Sequence, residues 1–301
     1  MLLEIENLNV SFWLNSSVVK AVRDASLKMK KECLALIGES GSGKSVLGMS
    51  IMRILPKNAK LEGKIIFNGK NLLEIGEEEM RKMRGLKIAW IPQNPASSLN
   101  PVIKIGFQVS EVMIAHGIDK NTAFEKTLEL FKSFDLNPAK LLERKYPHEL
   151  SGGMKQRAVV CMGIANKPEL LIADEPTKGV DAVKRKAIAK IFSKLKEISA
   201  ILLITHDISF AKYLAEKVAV MYCGQILEVR ETEEFFKEPL HPYSKALLNS
   251  LPPKLIPIKG NPPSMVNPPE GCAFHDRCDY AMEICRREIP NHGEVRCWLY
   301  A

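Results

Sequence analysis

Eight consecutive residues, Gly38-Glu39-Ser40-Gly41-Ser42-Gly43-Lys44-Ser45, have the form G-x-x-x-x-G-K-S, a pattern that can hold a nucleotide polyphosphate. An oligophosphate needs a concave row of backbone N–H groups, and glycines let the chain curl tightly enough to present one. Where the row opens a helix, the positive end of the helix dipole adds to the attraction. Lys44 can then reach the β- and γ-phosphates, and the Ser45 hydroxyl can sit on Mg²⁺. A Gly/Ser-rich surface loop would match by chance on the order of once in a hundred chains of this length. The flanks decide between the two. Cys33-Leu34-Ala35-Leu36-Ile37 reads as a buried strand, and Val46 to Leu55 reads as a helix closed by Pro56. Strand, loop and helix is the setting that the chemistry requires.

Other residues fit the same chemistry. Leu170 to Ala173 is an apolar strand that delivers Asp174 and Glu175 to its carboxyl end, where ligands of such sheets bind. Asp174 can complete a Mg²⁺ shell, and Glu175 can polarise an attacking water as general base. An apolar strand ending in Asp is common; after a phosphate loop it gains meaning. Gln93 ends the strand Lys87 to Ile91 and can touch both Mg²⁺ and the water. His206 follows the strand Ala200 to Ile204. A lone His is more often structural, but at this place it would point at the γ-phosphate. The octet Leu150-Ser151-Gly152-Gly153-Met154-Lys155-Gln156-Arg157 is a second candidate phosphate site. Ser151 reads as an N-cap, and Gly152 and Gly153 let a phosphate approach the backbone closely. One γ-phosphate does not need two such sites from one chain. A head-to-tail pair of subunits, the octet of one closing on the nucleotide of the other, resolves this.

Four of the seven cysteines crowd into the tail: Cys272, Cys278, Cys285 and Cys297, separated by five, six and eleven residues. Four thiolates are a soft, tetrahedral-capable set that suits zinc or an iron–sulfur cluster. Zinc pairs commonly lie two to four residues apart, and none of these gaps is that short. Wider spacing fits the corners of a cubane better, and a reducing cytosol disfavours disulfides. A tail this small cannot build its own core, so a bound group would staple it. Cys33, Cys161 and Cys223 read as buried structural thiols.

The rest of the chain must position these groups. Its 301 residues are 46% hydrophobic and 26% charged, which suits one large domain with an appendage. No apolar run reaches membrane-spanning length. The acid-bearing start, Met1 to Glu6, does not read as a signal peptide, so a cytosolic chain is expected. A net charge of +8 suits an anionic ligand, nucleic acid or a membrane surface. The basic run Lys184-Arg185-Lys186, with Lys190, Lys194 and Lys196, has the spacing of a solvated helix face. Leu2 to Val10, Val18 to Met29, and Gly63 to Gly69 with its Asn68-Gly69 turn suggest a small antiparallel sheet. Ile103 to Lys145 turns helical, and Ala182 to about Ile198 and Thr232 to Leu251 read as helices. Alternating strands and helices predict a parallel sheet covered on both faces. Pro252 to Pro269 reads as an extended crossover.

The order of phosphate loop, Gln93, octet, Asp174-Glu175 and His206 resembles the nucleotide-binding subunits of ABC transporters, over about residues 2 to 235. The resemblance implies an α/β P-loop nucleotide-binding domain: a RecA-like parallel core, an antiparallel β subdomain and a helical subdomain at about 95–165. It implies ATP and Mg²⁺ as cofactors. Phe12 lies where that family stacks an aromatic on adenine, with Trp13 the alternative. Asp181 matches the Asp that talks to the opposite site, although Lys178-Gly179-Val180 departs from the usual small-residue run. Leu240 to Leu248 and the tail Gly271 to Cys278 are similar to segments of oligopeptide and dipeptide importers. That narrows residues 236–301 to a Cys-rich C-terminal extension, and some such subunits carry a [4Fe–4S] cluster there. The implied partners are a paralogous ATPase subunit, two integral-membrane permeases and a solute-binding protein, at the cytoplasmic face of the cell membrane and without nucleic acid. The rival readings are a soluble ABC ATPase acting on nucleic acid or in translation, and a non-hydrolysing regulatory subunit, which Glu175 argues against.

Overall fold

The structure is a computed structural model that describes residues 1–178 and 182–301. Among these, the strands in chain order are β1 (Leu3–Trp13), β2 (Val18–Met29), β3 (Cys33–Ile37), β4 (Ala59–Phe67), β5 (Lys70–Asn71), β6 (Ile88–Ile91), β7 (Leu170–Asp174), β8 (Ala200–Thr205), β9 (Lys217–Tyr222) and β10 (Gln225–Glu231). The helices are α1 (Lys44–Met52), α2 (Glu77–Met83), α3 (Pro95–Ser98), α4 (Ile105–Ile114), α5 (Lys120–Ser133), α6 (Ala139–Leu142), α7 (Gly152–Ile164), α8 (Ala182–Ile198), α9 (Ile208–Leu214), α10 (Thr232–Lys237), α11 (Pro242–Asn249) and α12 (Ile284–Arg287). The chain divides into two compact units, Met1–Ile75 with Leu203–Ala301, and Gly76–Leu202. Strand β8 contributes residues to both.

The first unit holds an antiparallel sheet in the order β2-β1-β4-β5. Its register follows from alternation: Leu3, Ile5, Leu8 and Val10 of β1 are fully buried, and Leu3 pairs with Met29 on one side and Phe67 on the other. The same unit holds strands in the order β10-β9-β3-β8. Strand β9 runs parallel to β3, from Leu34↔Lys217 to Ile37↔Val220, and antiparallel to β10. Every residue of β3 is buried, as expected for a strand covered on both faces. The stretch 252–269 has no regular structure and lies along this unit, with the Lys20 amide donating to the Met265 carbonyl at 2.8 Å.

In the second unit β7 stands between β8 and β6, and β6 is parallel to β7 from Ile88↔Leu170 to Ile91↔Ala173. Helices α4, α5 and α7 bury Val109, Met113, Phe131, Val160 and Ile164. Asp119 caps α5, accepting from the Thr122 amide at 3.0 Å.

As the Ser151 cap predicts, α7 starts at Gly152. One expectation changes. Thr232 to Leu251 is two helices, α10 and α11, broken at 238–241. Pro239 has no amide to continue the first; His241 starts the second, its Nδ1 accepting from the Tyr243 amide at 3.0 Å, with Pro242 in the first turn. Residues 208–231, left unread above, form α9 and the hairpin β9–β10. Among the described residues no helix is long and apolar enough to cross a membrane.

Candidate active site

The loop Gly38–Gly43 leaves the end of β3 and turns into α1, in the order the sequence predicts. Two of its glycines are imposed by close backbone. Gly38 has φ +152°, and a Cβ there would meet the Met221 carbonyl oxygen at 2.0 Å; Gly43 has φ +100°, and a Cβ would meet the Ala21 carbonyl oxygen at 2.2 Å. The turn between β9 and β10 braces the same loop, since the Gly224 amide donates to the Ser42 carbonyl at 2.9 Å. Lys44, at the start of α1, is only 6% exposed. Its Nζ donates to the Gly38 carbonyl at 2.9 Å, the Glu39 carbonyl at 2.8 Å and the Ser42 hydroxyl at 3.3 Å. The ammonium is thereby folded into the loop's concave side. Ser45 is half-buried one residue on. The first turn of α1 carries no acid to cancel the helix dipole, so the loop is suited to an anion. Phe12 is half-buried near the end of β1 while Trp13 is 58% exposed, and His206 is exposed just past β8.

In the second unit, Asp174 is the last residue of β7 and is buried, as is Glu175. Glu175 has φ +50°, a left-handed backbone that a side-chain-bearing residue adopts at a cost of about 1–3 kcal/mol and that clusters at functional sites. Gln93 is exposed, two residues past β6. Ser151 does cap α7: its hydroxyl accepts from the Met154 amide at 3.4 Å. Apart from their chain neighbours and their own helix backbone, Gly152 and Gly153 have no atom of the described residues within 4 Å of where a Cβ would stand. Gln156 donates to the Pro176 carbonyl at 2.5 Å, which ties the octet's helix to the turn after Glu175. Asp181 lies outside the described residues.

The four tail cysteines are all free thiols, and all four line one cavity of about 20 Å³ together with His241. His241 Nε2 is 3.8 Å from the Cys272 sulfur. Burial pushes the Cys272 thiol up to about 12, with the other three cysteines adding to it, and burial raises Cys278 and Cys297 too. Opposing this, the amide two residues on favours each thiolate: Phe274 for Cys272, Tyr280 for Cys278 and Leu299 for Cys297. A cationic group among the sulfurs would reverse the burial penalty. Among the described residues no group of three or more His, Cys, Asp or Glu is set to hold a metal ion.

Sequence reasoning missed the residues that reach the phosphate loop from the far end of the chain. Arg277 pairs with Glu39 through both terminal nitrogens, at 3.0 and 3.2 Å. The Tyr243 hydroxyl accepts from the Glu39 amide at 2.9 Å. Tyr243 and Arg277 lie in the segments Leu240 to Leu248 and Gly271 to Cys278, but nothing in their spacing points to the phosphate loop.

The ABC transporter family pattern matches residues 22–178, and the oligopeptide/dipeptide transporter C-terminal region matches residues 227–285. The chain belongs to the ABC transporter family of ATP-binding proteins. It is 42% identical to the dipeptide transport ATP-binding protein DppD of Lactococcus lactis, over 97% of this chain and 87% of that one. It is 39% identical to the oligopeptide transport ATP-binding protein OppD of Haemophilus influenzae, over 100% and 98%. A dimeric ATP-binding cassette solved with ADP and phosphate matches 76% of this chain and 98% of its own at 23% identity and a TM-score of 0.67; that likeness speaks to fold alone. As an ABC ATP-binding protein the chain takes ATP and Mg²⁺ and hydrolyses the nucleotide.

Proposed function

We propose that this ABC protein is the ATPase subunit that powers a di- or oligopeptide importer at the cytoplasmic face of the cell membrane. One observation carries the reading: a phosphate loop and the C-terminal region shared with oligopeptide and dipeptide transporters lie in one chain. Residues 1–235 are the nucleotide-binding domain, with a helical part at about 95–165, and 236–301 are the extension. The loop 38–45 holds the phosphates, Phe12 stacks on adenine, and Ser45, Gln93 and Asp174 serve Mg²⁺. Glu175 is the general base, and Gln93 and His206 stand by the water and γ-phosphate. Ser151, Gly152, Gly153 and Gln156 close on the nucleotide of a second ATPase subunit, a paralogue, and Asp181 links the two sites. The two permeases dock on the helical part, whose groove is lined by Val102, Phe107, Phe124 and Tyr146, and a solute-binding protein delivers the peptide. The ring of Cys272, Cys278, Cys285 and Cys297 takes a [4Fe–4S] cluster, which staples the extension. Support for that comes from four free thiols around one cavity and from the Tyr280 amide, which donates to the Cys278 sulfur at 3.4 Å.

The assembled transporter in vesicles tests the reading. Peptide uptake should require ATP, and Glu175→Gln should bind ATP while slowing turnover by roughly 10²–10⁴, the range for losing a general base. Uptake of no peptide, or co-purification with nucleic acid instead of permeases, would reject it. Anaerobically purified protein should be brown, with about four irons per chain; stoichiometric zinc without iron would reject the cluster.

A further inference from the structure

Glu39 is the only acid in the phosphate loop, and an acid beside a polyphosphate repels it. All three of its polar groups are engaged. Its amide donates to the Tyr243 hydroxyl at 2.9 Å, its carbonyl accepts from Lys44 Nζ at 2.8 Å, and its carboxylate receives the forked pair from Arg277. Arg277 is itself immobilised. Its Nε donates to the Lys259 carbonyl at 2.7 Å, and Nη1 also donates to the Tyr222 hydroxyl at 2.9 Å. Its guanidinium carbon lies 5.6 Å from the Tyr222 ring centre and 5.7 Å from that of Phe274, within cation–π range. The Arg277 side chain is 6% exposed and that of Glu39 24%, so solvent screens the pair weakly. Burial disfavours the guanidinium charge, but the bonds to Glu39 and Tyr222 outweigh it and hold its pKa above the ordinary value.

We propose that Arg277 is a positioning residue of the ATP site, acting through Glu39. It cancels the Glu39 carboxylate, so that this acid does not repel the nucleotide phosphates, and with Tyr243 it fixes the loop residue whose carbonyl accepts from Lys44. Neither the phosphate-loop pattern nor the roles assigned above include a residue of the C-terminal extension in nucleotide binding. The inference rests on the loop binding ATP.

Binding of MgATP to the full-length chain, by calorimetry, and steady-state turnover of the assembled transporter test it. Arg277→Gln leaves one uncompensated charge at the loop, and at protein-surface dielectric that should weaken ATP binding roughly tenfold. The loss should appear in KM more than in kcat. The double variant Glu39→Gln/Arg277→Gln removes both charges and should recover most of the loss. Arg277→Lys keeps the charge without the fork and should fall between, which keeps the test available if Arg277→Gln folds poorly. Unchanged affinity in Arg277→Gln, or no rescue in the double variant, would overturn the proposal and leave Arg277 as packing. A wild-type chain that binds no ATP would overturn the functional reading itself.

Discussion

The phosphate loop and the octet at 150–157 are both glycine-rich, and each opens a helix whose first turn carries no acid. Their glycines answer to different constraints. At Gly38 and Gly43 a side chain would strike carbonyl oxygens at 2.0 and 2.2 Å, supplied by Met221 and Ala21 of the same unit. At Gly152 and Gly153 the described residues leave the space open. The first loop needs glycine because the chain closes around it. The second gains nothing in its own folding from glycine, since Gly within a helix costs about 0.5–1 kcal/mol relative to Ala. The proposed reason for the bare helix start is a phosphate held by a second subunit.

Substitution by alanine in both places tests that contrast, the larger effect at the phosphate loop. Gly38→Ala adds a Cβ against backbone and forces a positive φ on a side-chain-bearing residue, costing roughly 2–5 kcal/mol. Thermal unfolding should drop by several degrees and ATP affinity should fall with it. Gly153→Ala should leave the melting temperature unchanged or raise it slightly, because helix propensity improves. ATPase activity of the assembled pair should nevertheless fall by roughly 10- to 100-fold, the scale of a small misplacement at a reacting centre. A melting temperature that drops in Gly153→Ala as it does in Gly38→Ala would erase the contrast; full activity would remove the external phosphate.

What the sequence discloses about these two loops follows the reach of the forces that shape them. Local spacing made Lys44 at a helix start, the Ser151 cap and Asp174 at a strand end legible, because each depends on neighbours a few residues away. The hairpin β9–β10 was not read, though its turn braces Ser42 and its Met221 carbonyl faces Gly38. Arg277 lies 238 residues from Glu39, and no periodicity encodes that pair. The break at Pro239 was legible in principle, since proline removes an amide, but the apolar spacing on either side hid it. For the cysteines, residue type was informative and convergence was not: three spacings cannot show that the thiols line one cavity with His241.

The smallest effect separates capping from recognition at Ser151. Its hydroxyl accepts from the Met154 amide at 3.4 Å, a long bond, so Ser151→Ala should cost about 1 kcal/mol or less and lower the melting temperature by about 2 °C or less at this chain length. Aspartate is an equally good N-cap and also favours the helix dipole. Ser151→Asp should therefore fold as stably as wild type. Its carboxylate, however, would stand where the octet is proposed to receive the partner's γ-phosphate, and like charges repel. Stability thus ranks Asp above Ala, while ATPase activity of the assembled pair ranks Ala above Asp. Because the two orders are opposed, a general loss of folding cannot mimic the result. An Asp variant as active as wild type would show that no phosphate approaches this helix start, and the open space at Gly152 and Gly153 would then need another occupant.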